Sequence, residues 1–293
     1  MGAPLYVLYR GPLSSCNYDC PYCPFAKHKS SREELAADRK ALERFVAWAE
    51  QTSDRALSIL FTPWGEALIR RSYQRAIVRL SRVPHVVKVA IQTNLSCRTA
   101  WLAEANLERV GLWVTFHPGE VAYERFLARC RELTALGARY SVGMVGLREH
   151  LPIAQRLRAD LPPDTYLWIN AYKSGGPGYY DRALADAFAA IDPLFSVNAT
   201  RHRSLGEACR AGASAISVDG EGNVRRCHFV PEVLGNLYRD RLDDILGERP
   251  CPNATCGCHI GYVHLDRLRL YPVFREGLLE RIPAEPIWQE ARP

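Results

Sequence analysis

Six short apolar runs punctuate the first 171 residues, each followed by a longer amphipathic stretch. The runs are LYVLY (5–9), ALSILFT (56–62), VVKVAIQT (86–93), LWVTF (112–116), RYSVGMV (139–145) and TYLWINA (165–171). Segments of this length, rich in Val, Ile, Leu and aromatic residues, read as buried strands. The stretches between them read as helices over 32–52, 70–83, 98–108, 120–136, 150–160 and 179–190. The first helix is well marked: Ser30 or Ser31 can cap it, and Glu33 and Glu34 face the positive end of its dipole. Strand–helix alternation requires a parallel sheet with right-handed crossovers. Eight such units close a barrel, whereas six leave it open. The expected fold is therefore α/β: a partial (βα)6 TIM-like barrel over residues 1–191, then a small cysteine-rich domain over 192–293, where the rhythm fades. The final IPAEPIWQEARP reads as an irregular surface segment.

Composition narrows the classes. Of 293 residues, 47% are apolar and 24% charged, which suits a globular chain with a large core. No apolar run approaches the roughly 20 residues that span a bilayer. The opening MGAPLYVLYR lacks the basic start and long apolar run of a secretory signal, and Tyr6 breaks the myristoylation pattern. A cytoplasmic location is the expectation. In that reducing compartment, ten cysteines point to metal or catalysis rather than disulfides. The net charge of +6 is spread over helices without a basic block, so neither nucleic acid nor membrane is an expected partner.

Three of the cysteines, Cys16, Cys20 and Cys23, lie in SSCNYDCPYCPF directly after the first run. A structural zinc takes four ligands, commonly from paired C-x-x-C knuckles, and His28 is the one other candidate close by. Three thiolates on one loop suit an iron–sulfur cubane with one iron left open. C-x-x-x-C-x-x-C with an aromatic residue, Tyr22, before the last cysteine resembles the signature of radical S-adenosylmethionine enzymes. The resemblance implies a [4Fe–4S] cluster held by Cys16, Cys20 and Cys23, whose open iron chelates S-adenosyl-L-methionine and cleaves it to a 5′-deoxyadenosyl radical. It also implies cofactor contacts at Tyr22, at Gly65 and Glu66 in LFTPWGEAL, and at Asn94 in IQTNL, although Trp64 stands where the family more often has glycine. Apart from any family, the cysteine loop, Glu66 and Asn94 follow strands one, two and three, at the sheet edge where active sites of parallel folds form.

Five more cysteines gather late: Cys209, Cys227, Cys251, Cys256 and Cys258. Cys209, twelve residues, Gly222, four residues and Cys227 resemble the opening of the SPASM and Twitch modules that carry auxiliary clusters behind radical barrels. SVDGEGNVRRC also reads as a hairpin turning at 220–222. A second [4Fe–4S] cluster would take at most four thiolates, leaving one spare. The expected ligands are Cys209, Cys227, Cys256 and Cys258, with Cys251 free. Cys251 as a ligand with one of the C-x-C pair idle stays open, as does a structural zinc.

A free thiol beside a radical site can hand a hydrogen atom to a substrate carbon, because its S–H bond is weaker than C–H. Abstraction from one face and return from the other inverts the carbon. Within the family this pattern resembles epimerases of aminoglycoside antibiotic biosynthesis, which makes the chain an expected isomerase with Cys251 as hydrogen donor. The other reading on this scaffold is a dehydrogenase of a sugar or cyclitol, with the auxiliary cluster accepting an electron. A flavodoxin or ferredoxin is the expected external electron donor. Peptide-modifying relatives usually carry a leader-binding domain ahead of the barrel, and about four residues precede the first strand here. A metal-binding interaction protein without catalysis is the reading from another class. For a cationic sugar, Glu120, Glu149 and Asp181 are candidate carboxylates, Tyr179 and Tyr180 candidate stacking rings, and His117 a candidate contact after strand four. Each acid also suits a helix start or a solvated surface. Cys97 and Cys130 read as packing thiols.

Overall fold

The computed structural model describes residues 4–25 and 27–288. Six parallel strands lie side by side in chain order: β1 (Leu5–Arg10), β2 (Leu57–Phe61), β3 (Val86–Thr93), β4 (Val110–Thr115), β5 (Arg139–Gly146) and β6 (Leu167–Ala171). Between and after them run α1 (Arg32–Gln51), α2 (Arg71–Ser81), α3 (Tyr123–Ala135), α4 (Leu151–Asp160) and α5 (Arg182–Ala189). The strand and helix expectations hold to within a few residues, with one exception. The helix expected over 98–108 is only a 3-10 turn, Ala100–Glu104. Leu102 is its single buried residue, so it has no apolar stripe to sustain a longer helix. α1 begins at a capping box: Ser31 accepts from Glu34 N, and the Glu34 carboxylate accepts from Ser31 N.

The later chain adds β7 (His202–Arg203), β8 (Ala215–Asp219), β9 (Asn223–Arg225), β10 (Val233–Asn236) and β11 (Thr255–Cys256). β8 and β9 form the expected hairpin, with Gly222 at φ +84° in its turn. β8 then pairs in parallel with β1, so one nine-stranded sheet runs β10-β9-β8-β1-β2-β3-β4-β5-β6. β7 and β11 make a separate small antiparallel pair that carries Cys256.

The helices pack on one face of this sheet around a large apolar core. On the other face Leu8, Leu60, Ala90, Trp113, Tyr166 and Trp168 form a second cluster with Ile260, Leu279 and Trp288 from the C-terminal chain. The expectation of an irregular surface tail is thereby corrected for its described part. Trp288 is buried, packs on the Tyr166 ring and donates from Nε1 to Pro163 O; residues 289–293 lie outside the described residues. No helix among the described residues is long and apolar enough to cross a membrane.

Candidate active site

A cleft of ≈ 320 Å³ opens at the C-terminal ends of the parallel strands. Cys16, Cys20 and Cys23 from the loop after β1 line it, together with Tyr22, Gly65, Glu66, Asn94 and His117. Local geometry explains why these loops meet. A Cβ on Gly65 would stand 1.9 Å from Ser15 O, so only glycine lets the loop after β2 pass against the cysteine loop, where Glu66 N donates to Ser15 O. Glu66 is fully buried and accepts from Asn94 N at 2.5 Å, Thr93 Oγ1 at 2.8 Å and Leu68 N at 3.0 Å. Burial pushes its carboxyl up to about 7 against those donors. Both Glu66 oxygens are thus engaged in bracing the end of β2 to the end of β3.

The cysteine loop carries donors directed at sulfur. Cys16 Sγ accepts from Tyr18 N at 3.5 Å and from Asn94 Nδ2 at 3.9 Å. His117 Nδ1 lies 3.3 Å from Cys20 Sγ and 3.0 Å from Tyr22 Oη. Burial holds the His117 imidazole down to about 4, so it is neutral at physiological pH. Burial also raises the Cys16 thiol and pushes Cys20 up to about 11; coordination to a metal reverses that direction. Among the described residues, no group of three or more His, Cys, Asp or Glu side chains converges to hold a single metal ion. Three soft thiols spread along one cleft wall, with N–H groups pointed at sulfur, fit an iron–sulfur cluster with one open iron.

A second cavity of ≈ 330 Å³ is lined by all five late cysteines, with Lys173, Arg201 and Arg226 around them. The cations suit a cluster bearing several thiolates, whose net charge is negative. Cys256 lies within electrostatic reach of Cys227, Cys258, Cys251 and Cys209, and Cys227 within reach of Cys209 and Cys251. A Cβ on Gly261 would stand 2.8 Å from Cys256 Sγ, so glycine there makes room for that sulfur. Cys258 lines this cavity and the first cleft alike. Its surface is open to them, yet protein encloses it deeply enough to raise its thiol pKa, while Lys173, Arg10 and Arg281 pull the other way.

The remaining sequence-derived candidates fall elsewhere. Glu120 lines a neighbouring cavity of ≈ 270 Å³ with Asn17, Tyr18 and Asn94. Glu149 is exposed on a 3-10 turn. Asp181 caps α5 through Leu184 N and pairs with Arg148. The Tyr179 hydroxyl accepts from Arg148 N, and the Tyr180 hydroxyl donates to Gly146 O while accepting from Tyr172 N. Tyr179, Tyr180 and Asp181 brace the loops after β5 and β6, and neither they nor Glu149 line the cleft. Cys130 and Cys97 are buried in the helix-side core, as expected.

Several cleft residues escaped sequence reasoning: Gln92, Trp113, Thr115, Trp168 and Asn170 line it too. A usable signal existed. Side chains alternate along a strand, so Trp113, Thr115 and His117 share a face, as do Trp168 and Asn170, and Gln92 and Asn94. A polar residue on that face near a strand's C-terminal end marks the cleft. Trp64 separates the cleft from a larger cavity of ≈ 600 Å³ between α1 and the β8–β9 hairpin, whose lining contains no cysteine.

No protein-family model matches the chain, and no curated protein does. Solved structures resemble it in fold. Streptococcus suis SuiB, bound to S-adenosylmethionine, is 16% identical with a TM-score of 0.54, over 82% of this chain and 65% of that one. Native anSMEcpe with bound AdoMet is 14% identical with a TM-score of 0.57, over 83% of this chain and 80% of that one. The same protein with AdoMet and the Kp18Cys peptide gives 13% and 0.57 over the same shares. The chain thus spans about two thirds of SuiB's length and shares with both proteins a mixed α/β fold built on a mostly parallel sheet.

Proposed function

We propose that the chain is a radical S-adenosylmethionine enzyme that inverts a carbon centre of an aminoglycoside, of the neomycin C to neomycin B type. In this reading residues 1–191 form the radical domain and 192–293 carry an auxiliary [4Fe–4S] cluster. Cys16, Cys20 and Cys23 hold the first cluster, and four of the five late cysteines hold the second. A cytoplasmic flavodoxin or ferredoxin supplies the electrons. One observation carries the reading: a cleft with three loop thiols at the strand ends abuts a cavity ringed by five more, across a wall that includes Cys258. Fold likeness to two proteins solved with S-adenosylmethionine supports the choice of cofactor.

Cys16, Cys20 and Cys23 would hold the first cluster, and S-adenosylmethionine bound there would supply a 5′-deoxyadenosyl radical. The chain's own task is to hold one sugar ring and return hydrogen to it. Trp113 and Trp168 provide an apolar floor, and Gln92, Thr115 and Asn170 offer amide and hydroxyl groups for ring hydroxyls. Glu66, the carboxylate in this wall, is spent on its three donors, which leaves ammonium groups of the substrate to the cleft mouth. A thiol on the late-cysteine side then delivers a hydrogen atom to the face opposite the abstraction. The shared wall equally suits a dehydrogenase of a sugar or cyclitol, in which the substrate radical gives up an electron and a proton.

Anaerobic reconstitution followed by turnover in deuterium oxide decides between them. The epimerase incorporates one deuterium at the inverted carbon, whereas the dehydrogenase incorporates none and yields a product oxidised by two electrons. A preparation that takes up only zinc and never forms 5′-deoxyadenosine overturns both.

A further inference from the structure

The cavity of ≈ 600 Å³ beyond Trp64 lies at the C-terminal ends of β1 and β8. From β1 the chain builds the sheet outward through β2 to β6, then returns to place β8 on the other side of β1. A crevice at such a reversal of strand order is where parallel sheets commonly take a ligand. Leu8 stands opposite Ser217 and Arg10 opposite Asp219, so Arg10 and Ser217 share a face of the sheet, one alternation apart. The Arg10 guanidinium carbon lies 4.0 Å from the Trp64 ring centre, and Arg10 Nε donates to Thr62 O at 2.8 Å. That is the one hydrogen bond of its side chain among the described residues, so both terminal nitrogens are left to the cavity. Burial pulls the guanidinium down to about 10, which leaves it charged at physiological pH. Ser217 is 3% exposed, and its Oγ has no partner. A buried hydroxyl without a hydrogen bond is costly, and this one borders a cavity.

We propose that this cavity binds a small molecule by an oxyanion, a phosphate or carboxylate group, held between the Arg10 guanidinium and the Ser217 hydroxyl. The other charges of the lining are engaged or exposed. Arg225 Nη1 donates to Asp219 Oδ2 at 2.8 Å, and the Asp219 carboxylate also accepts from Glu221 N, Asn223 N and Asn223 Nδ2. Glu221 is exposed and accepts from Asn223 Nδ2 at 3.2 Å. His228 is held neutral by burial and meets Thr62 Oγ1 through Nε2 at 3.0 Å. Among the described residues of the lining, Arg10 is therefore the charge left unpaired inside. It repels ammonium groups, so the cavity is not a further subsite for the rings of a cationic sugar. A guanidinium instead presents parallel N–H donors that match an oxyanion. The volume exceeds what a bare anion fills and falls in the range of small-molecule sites, about 300–1,000 Å³. The assignment stands on these residues alone and requires no cluster.

Calorimetric titration of the anaerobically reconstituted protein with glucose 6-phosphate, glucuronate and glucose tests this, because the three share a ring and differ in charge. At least one of the two acids should bind, with glucose at least about tenfold weaker, the worth of a charged hydrogen bond. The tighter acid tells a phosphate site from a carboxylate site. Arg10→Met keeps an unbranched stem over Trp64 and removes the charge, and should lower the affinity for that acid at least about tenfold. Ser217→Ala removes a hydroxyl that bonds to nothing in the chain, and should weaken binding about two- to tenfold. Should Arg10→Met fail to fold, Ser217→Ala decides alone. Native affinity in the folded variants places the acid elsewhere and overturns the proposal. Equal binding of glucose, or no binding of either acid, overturns it too. None of these readouts involves 5′-deoxyadenosine, so the outcome is independent of the radical reading.

Discussion

At the scale of single residues, Glu66 shows how a side chain singled out for cofactor contact acts first as a brace. Its carboxyl titrates at about 7 in the folded chain, above the ordinary 4.5, because burial outweighs its three hydrogen-bond donors. Between those two values the folded chain holds a proton that the unfolded chain has released. The group's contribution to stability is therefore fully present below about pH 4.5 and is lost as pH rises through about 7. Glutamine keeps the shape and cannot titrate, but it turns an NH2 toward groups that themselves donate. Glu66→Gln should cost about 1–3 kcal/mol at pH 5. The gap to the native protein should narrow toward pH 8, by at most about 1.4 kcal/mol per pH unit. Urea unfolding at several pH values measures this. A gap that stays constant from pH 5 to 8 would mean that the carboxylate is already ionised throughout.

At the scale of elements, the best-marked helix is also tied to the cysteine loop of the site. The Ser31 capping box opens α1, and the buried Asp38 about two turns further on accepts from Leu13 N, just ahead of the cysteine loop, and from the Tyr73 hydroxyl on α2. Ser31→Ala should lower stability by about 1 kcal/mol without changing iron content, since the Asp38 ties remain. Thermal unfolding and iron analysis of the same preparation check both halves. Elements of this kind were legible because their signals are local: a cap, an acidic first turn, a period of 3.6. The six strands were legible for the same reason, and so was the hairpin carrying Cys227. What could not be read is pairing over long range. Nothing local to Ala215–Asp219 says that it will lie beside β1, with Tyr6 opposite Ala215 and Arg10 opposite Asp219. The site followed that pattern. The cysteine spacing and the strand-end position pointed to the cleft that Cys16, Cys20 and Cys23 line, but the loop braces formed by Tyr179, Tyr180 and Asp181 depend on contacts with Arg148 and Gly146 that no spacing encodes. The C-x-C spacing alone set Cys258 apart from Cys251 in the sequence, whereas the path of the six residues between them, which include β11, decides which thiol borders which cavity.

At the scale of the whole molecule, the C-terminal chain closes the end of the sheet opposite the cleft. Glu280 is fully buried, with Lys88 Nζ at 3.0 Å and Arg139 Nε at 2.7 Å on one carboxylate oxygen. Ser141 Oγ donates to the Glu280 carbonyl at 2.6 Å, and Gly111 leaves the space its side chain fills, since a Cβ there would stand 2.8 Å from the Glu280 carboxyl carbon. The neighbouring Leu279 belongs to the same apolar cluster as Trp113 and Trp168, and the buried Arg281 guanidinium lies 4.6 Å from the Trp168 ring centre. The cleft floor therefore rests on the plug that Glu280 anchors. Removing the carboxylate strands Lys88, itself nearly buried, as an unpaired charge, and breaking a pair of that kind costs about 3–5 kcal/mol. Glu280→Ala should lose that much stability in urea unfolding. The double variant Lys88→Met with Glu280→Leu should recover most of it, because it leaves no buried charge stranded between the two positions. The floor gives the prediction a second readout: substrate affinity should weaken in the single variant and return in the double one. If both variants unfold like the native protein, the ion pair does not hold the plug, and the apolar packing of Leu279 and Trp288 alone keeps the floor in place.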